Sequence, residues 1–568
     1  MTDLFVTLFS CLLFMGGVAY ISYRKTRGEA SSKDGYFLAG RGLSAPFIAG
    51  SLLLTNLSAE QLIGLNGSAY GSNLSSMGWE VTAAIASVAM AFIFLPRYMA
   101  GAFTTLPEFL NERFDADVRR LSAGLFIVGY GLVTIPSVLY SGSIAVMRLF
   151  SVPEITGLGQ FPSLVLVVVI IGVIGALYAI LGGLRAVAVS DTLNGIGLLV
   201  IGGLVPIFGL IALGEGDFGR GLQKLLTDHP EKLNAIGRRD DPTPFLTLFT
   251  GMFFANLFYW CTNQYVIQRT LGGASLAASQ KGVLLAGFFK IMVPFLMMTP
   301  GVIAFHLYGS GLGGIDEAYP RLVDDVMPTL LTGLFLAVLL GAVFSSFNSL
   351  LNSAATLFVL DIWAPLRGRT LSDQALIQQA KIISIVIAAF SFVVAPLLSF
   401  AEAGLWQVIR VFTGFYNIPI IAIVVVGMFT RQVPALAAKI VIVFHVVVYG
   451  LLRFAPVTLL DIHFLHQYAV LFIVEVGIMI AIGAWRPRAY VAEVKPNAQV
   501  DITPWRYRVP TSITLSSCVV ALYLLFSPLG LAAEEGPGTT YVVLTGLVVF
   551  GNAAIWLGFL RSQRLIKS

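Results

Sequence analysis

The chain has 568 residues, 57% of them hydrophobic and only 11% charged, with mean hydropathy +0.85 and a formal net charge of +5. About a quarter of the residues of a soluble domain are charged, so this composition excludes a soluble globular protein and points to an all-α polytopic membrane protein. The pI of about 9.0 raises nucleic acid as a partner, but the placement of the basic residues, given below, assigns the charge to membrane topology, and no nucleic-acid partner is expected.

Apolar runs long enough to cross a bilayer, about 20 residues, recur from end to end. They predict about fifteen spans, near 3–23, 44–71, 77–96, 121–149, 163–182, 190–213, 244–266, 283–306, 329–359, 379–400, 406–429, 434–453, 466–485, 511–529 and 541–560. Met1–Asp3 carries no basic run, so the first span is expected to be a retained helix and not a cleaved signal peptide. The second span contains Ser51–Gly67, SLLLTNLSAEQLIGLNG, which sets Thr55, Asn56, Ser58, Glu60 and Gln61 within seven residues. Polar side chains at bilayer depth are costly and mark a pathway or a helix contact. Thr, Asn and Ser also compete for backbone hydrogen bonds, so the helix is expected to open there, which is tolerated only against protein or water. A solute or ion site and a polar helix–helix contact are the two readings of that stretch.

In the third span Glu80 follows Trp79, either as an interfacial carboxylate or as an acceptor for ligand hydroxyls. The longest loop, about Gly214 to Pro244, is polar and is expected to hold a short surface helix. The seventh span is interrupted again, by Asn256, Thr262, Asn263 and Gln264, five spans after the first interruption. Two broken helices at corresponding places in two halves are the sequence pointer to an inverted-repeat transporter with a site near the midplane. Lys290 lies about nine residues into the next span, roughly 13 Å deep at 1.5 Å per residue. Its stem allows snorkelling, and the preferred reading is a polar cavity with a carboxylate partner, Glu80 or Glu60. The ninth span carries Ser345, Ser346, Asn348, Ser349, Asn352, Ser353 and Asp361. Its spacings of three and four share a face that serves either close packing or oxygen ligation of a hard cation such as Na⁺.

Arg410 stands about four residues into the eleventh span, placed either to snorkel outward or to fork onto an anionic group. Trp79, Tyr259, Trp260 and Trp406 cluster near the polar breaks, as an interfacial belt or as a stacking and gating set. His445 and Glu475 are expected to be buried and hydrogen-bonded. Cys11, Cys261 and Cys518 fall in apolar runs without metal-ligand spacing, so no disulfide is expected. The sequence has no Walker A motif, nucleophile elbow or HExxH, which leaves ATP-driven transport and enzyme chemistry without support. With the N-terminus outside, 25 of the 35 Lys and Arg residues fall in inner loops and 8 in outer ones. This positive-inside bias places the basic tail in the cytoplasm; a bacterial inner membrane is what the family resemblance given below implies.

Five motifs then carry a family resemblance: YFLAGR at Tyr36–Arg41, TNLSAEQLIGLNGSAY at Thr55–Tyr70, LGGLRAVAVSD at Leu181–Asp191, ANLFYWCTNQYVIQRTL at Ala255–Leu271, and the Ser-rich helix ending LNSAATLFVLDIW. The chain resembles the solute:sodium symporter family, in its sodium/glucose cotransporter branch. The resemblance implies a LeuT-like fold: an extra helix and cytoplasmic loop over 1–43, a five-plus-five inverted-repeat core over 44–430, and additional helices over 431–568. It implies Na⁺ as the coupling ion, held by the carbonyls of Leu54, Leu57 and Ala342 and the hydroxyls of Ser345 and Ser346, with Asp191 in support. It implies a sugar site of Gln61, Glu80, Asn256 and Lys290 with Tyr259 stacked as inner gate, and gate residues Leu65, Trp79, Trp260 and Trp406. Asn56, Ser58 and Glu60 are then expected to hold the break open. Two positions depart from the pattern: Ala83 replaces a sugar-binding Ser, and Arg410 replaces a Gln. The implied function is Na⁺-coupled sugar symport by alternating access. The alternative is symport of an anionic sugar derivative, a sugar acid or sulfated sugar, bound through Arg410. A non-transporting solute sensor is a further reading.

Overall fold

A computed structural model describes residues 2–26, 32–150, 152–368, 371–400, 405–455, 460, 462–488 and 500–565, with the side chains of 2–4, 60, 148–149, 178–183, 316, 405–408, 410–411 and 564–565 excepted. The long helices, in chain order, are α1 (Thr2–Thr26), α2 (Ala45–Asn56), α3 (Ala59–Gly71), α4 (Gly78–Ala89), α5 (Ala116–Gly129), α6 (Ile135–Leu149), α7 (Gln160–Leu213), α8 (Gly251–Cys261), α9 (Gln264–Leu271), α10 (Leu276–Met297), α11 (Thr329–Thr356), α12 (Asp373–Leu397), α13 (Leu405–Phe429), α14 (Ala435–Phe454), α15 (Phe464–Trp485), α16 (Arg508–Leu525) and α17 (Thr539–Leu565). Among the described residues, 13 stretches are long and apolar enough to cross a membrane, and 14 when α2 and α3 are joined as one bent span. The expected span at 244–266 is not among them: it is the interrupted pair α8–α9, whose pieces are 11 and 8 residues long. The predicted spans 163–182 and 190–213 lie together in the continuous helix α7, 54 residues long. At 1.5 Å per residue that is about 80 Å, far beyond one bilayer crossing of about 30 Å, so α7 holds two spans' worth of helix. The polar loop carries its short helix at Phe218–Thr227.

Apolar side chains point outward along the bundle, as lipid-facing helices require. Val173, Ile196 and Val200 are exposed, while Ser51, Asp191 and Lys290 are completely buried. The two broken pairs sit inside this bundle. α2 packs on α7, α10 and α11, and α8 packs on α4, α13 and α15. Small residues allow the close approach: a Cβ on Gly50 of α2 would stand 2.8 Å from the Thr192 hydroxyl of α7, inside contact distance. Three spans contain a π-helical turn, at Met90–Phe94, Tyr130–Thr134 and Leu357–Trp363. Such bulges favour functional sites, and two of these hold residues used below: Tyr130 and Thr134 in one, Asp361 in the other.

Outside the ten-span core, α14 and α15 grip α13. His445 and Glu475 are buried as the sequence suggests, and they are partners: His445 Nδ1 lies 2.5 Å from Glu475 Oε1, and His445 Nε2 lies 2.9 Å from the Gly414 carbonyl. A Cβ on Gly414 would stand 2.3 Å from the Tyr449 hydroxyl, so only glycine admits this contact. Arg119 Nε donates to Asp361 Oδ1 at 2.7 Å, and the Thr105 hydroxyl donates to the same oxygen at 3.0 Å. Arg113 was expected as a loop cation. It is buried, and it donates to the Gly427 carbonyl in the last turn of α13 and to those of Thr430 and Val433 just beyond its end.

Candidate functional site

The first break follows from where backbone N–H groups turn. In an α-helix the N–H of residue i bonds the carbonyl of i−4. Here the Ser58 N–H bonds the Asn56 carbonyl at 3.0 Å instead of Leu54, and the Gln61 N–H bonds Ser58 at 3.1 Å instead of Leu57. The carbonyls of Leu54 and Leu57 thereby lose their helical donors, as does that of Thr55, which accepts from Ser346 Oγ instead. The chain restarts with Ser58 extended as the N-cap of α3, and the bend between the two pieces is 57°. The side chains expected to hold this break do not do so: the Ser58 hydroxyl makes no capping bond, and it and Asn56 Oδ1 are buried with no partner among the described residues. Both residues line the central cavity instead. The Glu60 side chain lies outside the described ones.

The second break repeats this. The Asn263 N–H bonds the Phe258 carbonyl at 2.9 Å instead of Tyr259, and α9 restarts after it. Asn263 does not cap with its side chain; its Oδ1 accepts a hydrogen bond from the Tyr130 hydroxyl. Every residue of α9 is buried. Gln264 Oε1 accepts from the Leu106 N–H at 2.8 Å, and Gln268 Nε2 donates to the Phe37 carbonyl at 2.8 Å while its Oε1 accepts from Ser353 at 2.6 Å. The polar residues C-terminal to the break thus anchor α9 to neighbouring segments.

Between the breaks lies a cavity lined by α2, α3, α4, α8, α11 and α13. Gln61 Nε2 donates to Glu80 Oε1 at 3.2 Å, and Lys290 Nζ donates to Glu80 Oε2. Asn256 Nδ2 donates to Thr82 Oγ1 at 2.8 Å. Gln61, Glu80, Asn256, Tyr259, Trp79, Trp260 and Ala83 all line the cavity. Lys290 does not: it is fully buried behind Glu80, as the partner expected from its depth. Gln61 Oε1 and Trp260 Nε1 are buried without partners among the described residues. Leu65 is buried in the core, away from the cavity lining. The side chains of Trp406 and Arg410 lie outside the described ones.

Beside the first break, the Ser-rich face of α11 meets α2. Ser346 Oγ donates to the Thr55 carbonyl at 3.4 Å, and the buried Ser345 hydroxyl lies beside the Asp191 carboxylate. The opened turn and the serine face thus meet through the Ser346–Thr55 contact, and freed carbonyls with serine hydroxyls are oxygen donors of the kind a hard monovalent cation takes. Ala342, one turn before Ser346, is buried on the same helix.

Next to this set is a group that sequence reasoning missed. Arg269 had been counted among the inner-loop cations. It is fully buried, and its guanidinium fork reaches Ser51 Oγ at 2.7 Å, the Tyr265 carbonyl, Ser349 Oγ and, at 3.7 Å, Asp191 Oδ2. Ser51 in turn donates to Asp191 Oδ2 at 2.6 Å. Asp191 therefore ties α7 to α2 and α9, and reaches the serine face through Arg269. The available signal was that Arg269 follows the predicted end of its span by only three residues, in a stretch whose every neighbour proves to be buried. Thr134, Thr413, Tyr416 and Asn417 also line the cavity unforeseen. Of these, Thr413, Tyr416 and Asn417 sit inside an apolar run, IRVFTGFYNIPII, where spacing alone marks no site.

A model of the sodium:solute symporter family matches residues 36–441. The chain is 42% identical over 543 residues to a protein of Escherichia coli (strain K12) named Uncharacterized symporter YidK, covering 95% of this chain and 94% of that one. It is 30% identical over 483 residues to the sodium/glucose cotransporter of Vibrio parahaemolyticus, covering 80% and 86%. It is 29% identical over 452 residues to the human sodium/myo-inositol cotransporter 2, covering 74% and 65%. Among solved structures, the substrate-bound outward-open state of a Na⁺-coupled sialic acid symporter superposes with a TM-score of 0.74 at 19% identity, over 85% of this chain and 99% of that one. At that identity the likeness speaks for the fold alone.

Proposed function

The chain belongs to the sodium:solute symporter family, and from that premise we propose that it imports a neutral, hydroxyl-rich solute, a sugar or polyol, together with Na⁺. It is a multi-pass, LeuT-like secondary transporter coupled to sodium, not an enzyme. The observation that carries the substrate reading is the charge balance of the cavity wall. Its carboxylate, Glu80, is tied to Gln61 and to buried Lys290. The other described polar atoms facing the cavity are amides, hydroxyls and an indole N–H. Such a wall suits sugar hydroxyls, which both donate and accept. The relatives named for glucose and myo-inositol support the same class.

Na⁺ sits, in this reading, between the Leu54 and Leu57 carbonyls and the Ala342, Ser345 and Ser346 oxygens. Gln61, Glu80 and Asn256 hold the solute, Lys290 orients Glu80, and Tyr259 covers it from the inner side. Leu65, Trp79, Trp260 and Trp406 form the gates. The opened turn 57–58 joins both sites, so each ligand raises the affinity for the other by the same factor. A membrane potential drives the cation inward by about 2.3 kcal/mol per charge per 100 mV. The core of 44–430, flanked by 1–43 and 431–568, sits in the inner membrane with N-terminus outside and C-terminus inside, as the basic loops require.

The test is counterflow in proteoliposomes with D-glucose, D-galactose, myo-inositol and D-glucuronate, with and without Na⁺, in wild type and Arg410→Gln. The expected result is Na⁺-dependent exchange of a neutral compound, retained in Arg410→Gln. Exchange of glucuronate alone, abolished in Arg410→Gln, would replace this reading with the anionic-sugar one. Binding without accumulation would make the protein a sensor.

A further inference from the structure

The tenth core span, α13, closes the cavity on the side of Thr413, Tyr416 and Asn417. Tyr416 is accounted for: its hydroxyl lies 3.3 Å from Thr134 Oγ1. Asn417 is different. It lines the cavity, it is 9% exposed, and its Oδ1 is buried with no hydrogen-bond partner among the described residues. The neighbouring residues Ile418 and Ile420 to Val424 are fully buried against the bundle, so the amide is the polar group in a packed apolar run. A primary amide at membrane depth is expensive unless something satisfies it. Pro419, two residues on, withholds the N–H that the Phe415 carbonyl would accept, which makes this the turn where α13 is least tied to itself. Across the cavity, Gln61 Oε1 is left open in the same way on α3. Two cavity-lining residues from two different spans therefore each carry an amide oxygen without a partner among the described residues, while the Gln61 NH₂ is already given to Glu80. A ligand hydroxyl satisfies an amide in either orientation, because it accepts from the NH₂ and donates to the oxygen. A carboxylate or an ammonium group satisfies only one of the two.

We propose that Asn417 is a specificity-determining contact of the transported solute, bonding a hydroxyl at the end opposite the one held by Gln61 and Glu80. This rests on the neutral-sugar reading above. The solute is then held from the opened first core span and from the tenth span together, and closure of the site requires both.

The test uses the full chain in proteoliposomes under an inward Na⁺ gradient, with radiolabelled D-glucose, D-galactose and myo-inositol as probes and monodeoxy analogues of the transported probe as competitors. Asn417→Ala is expected to raise the KM about tenfold, with Vmax and the Na⁺ requirement within about twofold of wild type. One monodeoxy analogue, weaker than its parent against wild type, is expected to match the parent against Asn417→Ala. Asn417→Asp retains the acceptor and is expected to keep that discrimination; if Asn417→Ala is not recovered folded, Asn417→Ser carries the same comparison. An unchanged KM, or an equal loss for the parent and every deoxy analogue, overturns the contact and leaves the sugar reading intact. Failure of wild type to accumulate any of the three probes overturns both.

Discussion

Glu80 and Lys290 are both essentially inaccessible to solvent and bonded to one another, so removing one charge strands the other in the bundle. At an effective dielectric of about 20, unit charges about 3 Å apart attract by about 5 kcal/mol, and breaking a buried pair by deleting one partner costs about 3–5 kcal/mol. Lys290→Met leaves a bare carboxylate with Gln61 as its remaining side-chain donor; Glu80→Gln leaves an ammonium group facing an amide. Each single change is expected to lower the unfolding free energy in mixed detergent–SDS micelles by about 3 kcal/mol or more. The double variant Glu80→Gln/Lys290→Met carries no stranded charge and is expected to recover most of that loss, giving a coupling energy of about 2 kcal/mol or more in the double-mutant cycle. It is still expected to lose uptake, because Glu80 then no longer presents a charged acceptor to the solute. Additive losses in the cycle would refute the coupling, and a double variant that transports normally would refute the role given to Glu80.

Ser345→Ala and Ser346→Ala each remove a hydroxyl from the proposed cation site. Each is expected to raise the half-saturating Na⁺ concentration about tenfold, about 1.4 kcal/mol, with near-normal uptake at saturating Na⁺; flux assays across a Na⁺ titration measure this. Arg269→Lys keeps a charge beside Asp191 but loses the fork that spans Ser51, Ser349 and the Tyr265 carbonyl. Protein is expected to reach the membrane at normal abundance on immunoblots, with uptake reduced at least tenfold. Gly414→Ala drives a methyl group into Tyr449, for a loss of about 1–3 kcal/mol in the same micelle titration; adding Tyr449→Leu is expected to return part of it.

The sequence by itself determined the helical class, the positions of most apolar spans, the two interruptions five spans apart and, through its motifs, the family. The first three are carried by local composition along one chain, and helices in lipid must satisfy their backbones internally, so little else can intervene. The family resemblance also grouped Gln61, Glu80, Asn256 and Tyr259, and all four line one cavity. Tertiary structure decided what depends on neighbours from distant spans. Arg269 reads in sequence as a loop cation and is in fact the buried fork between Asp191 and the serine face. Asn56 and Ser58 read as props for the first break, yet the backbone opens by redirecting the Ser58 and Gln61 N–H groups, which leaves both side chains to the cavity. His445 and Glu475 lack visible partners in sequence because the partner of each is the other, 30 residues away on the adjacent helix. Asn417 gives no signal in an apolar run, since whether an amide is satisfied is a property of the space around it and not of the residues beside it.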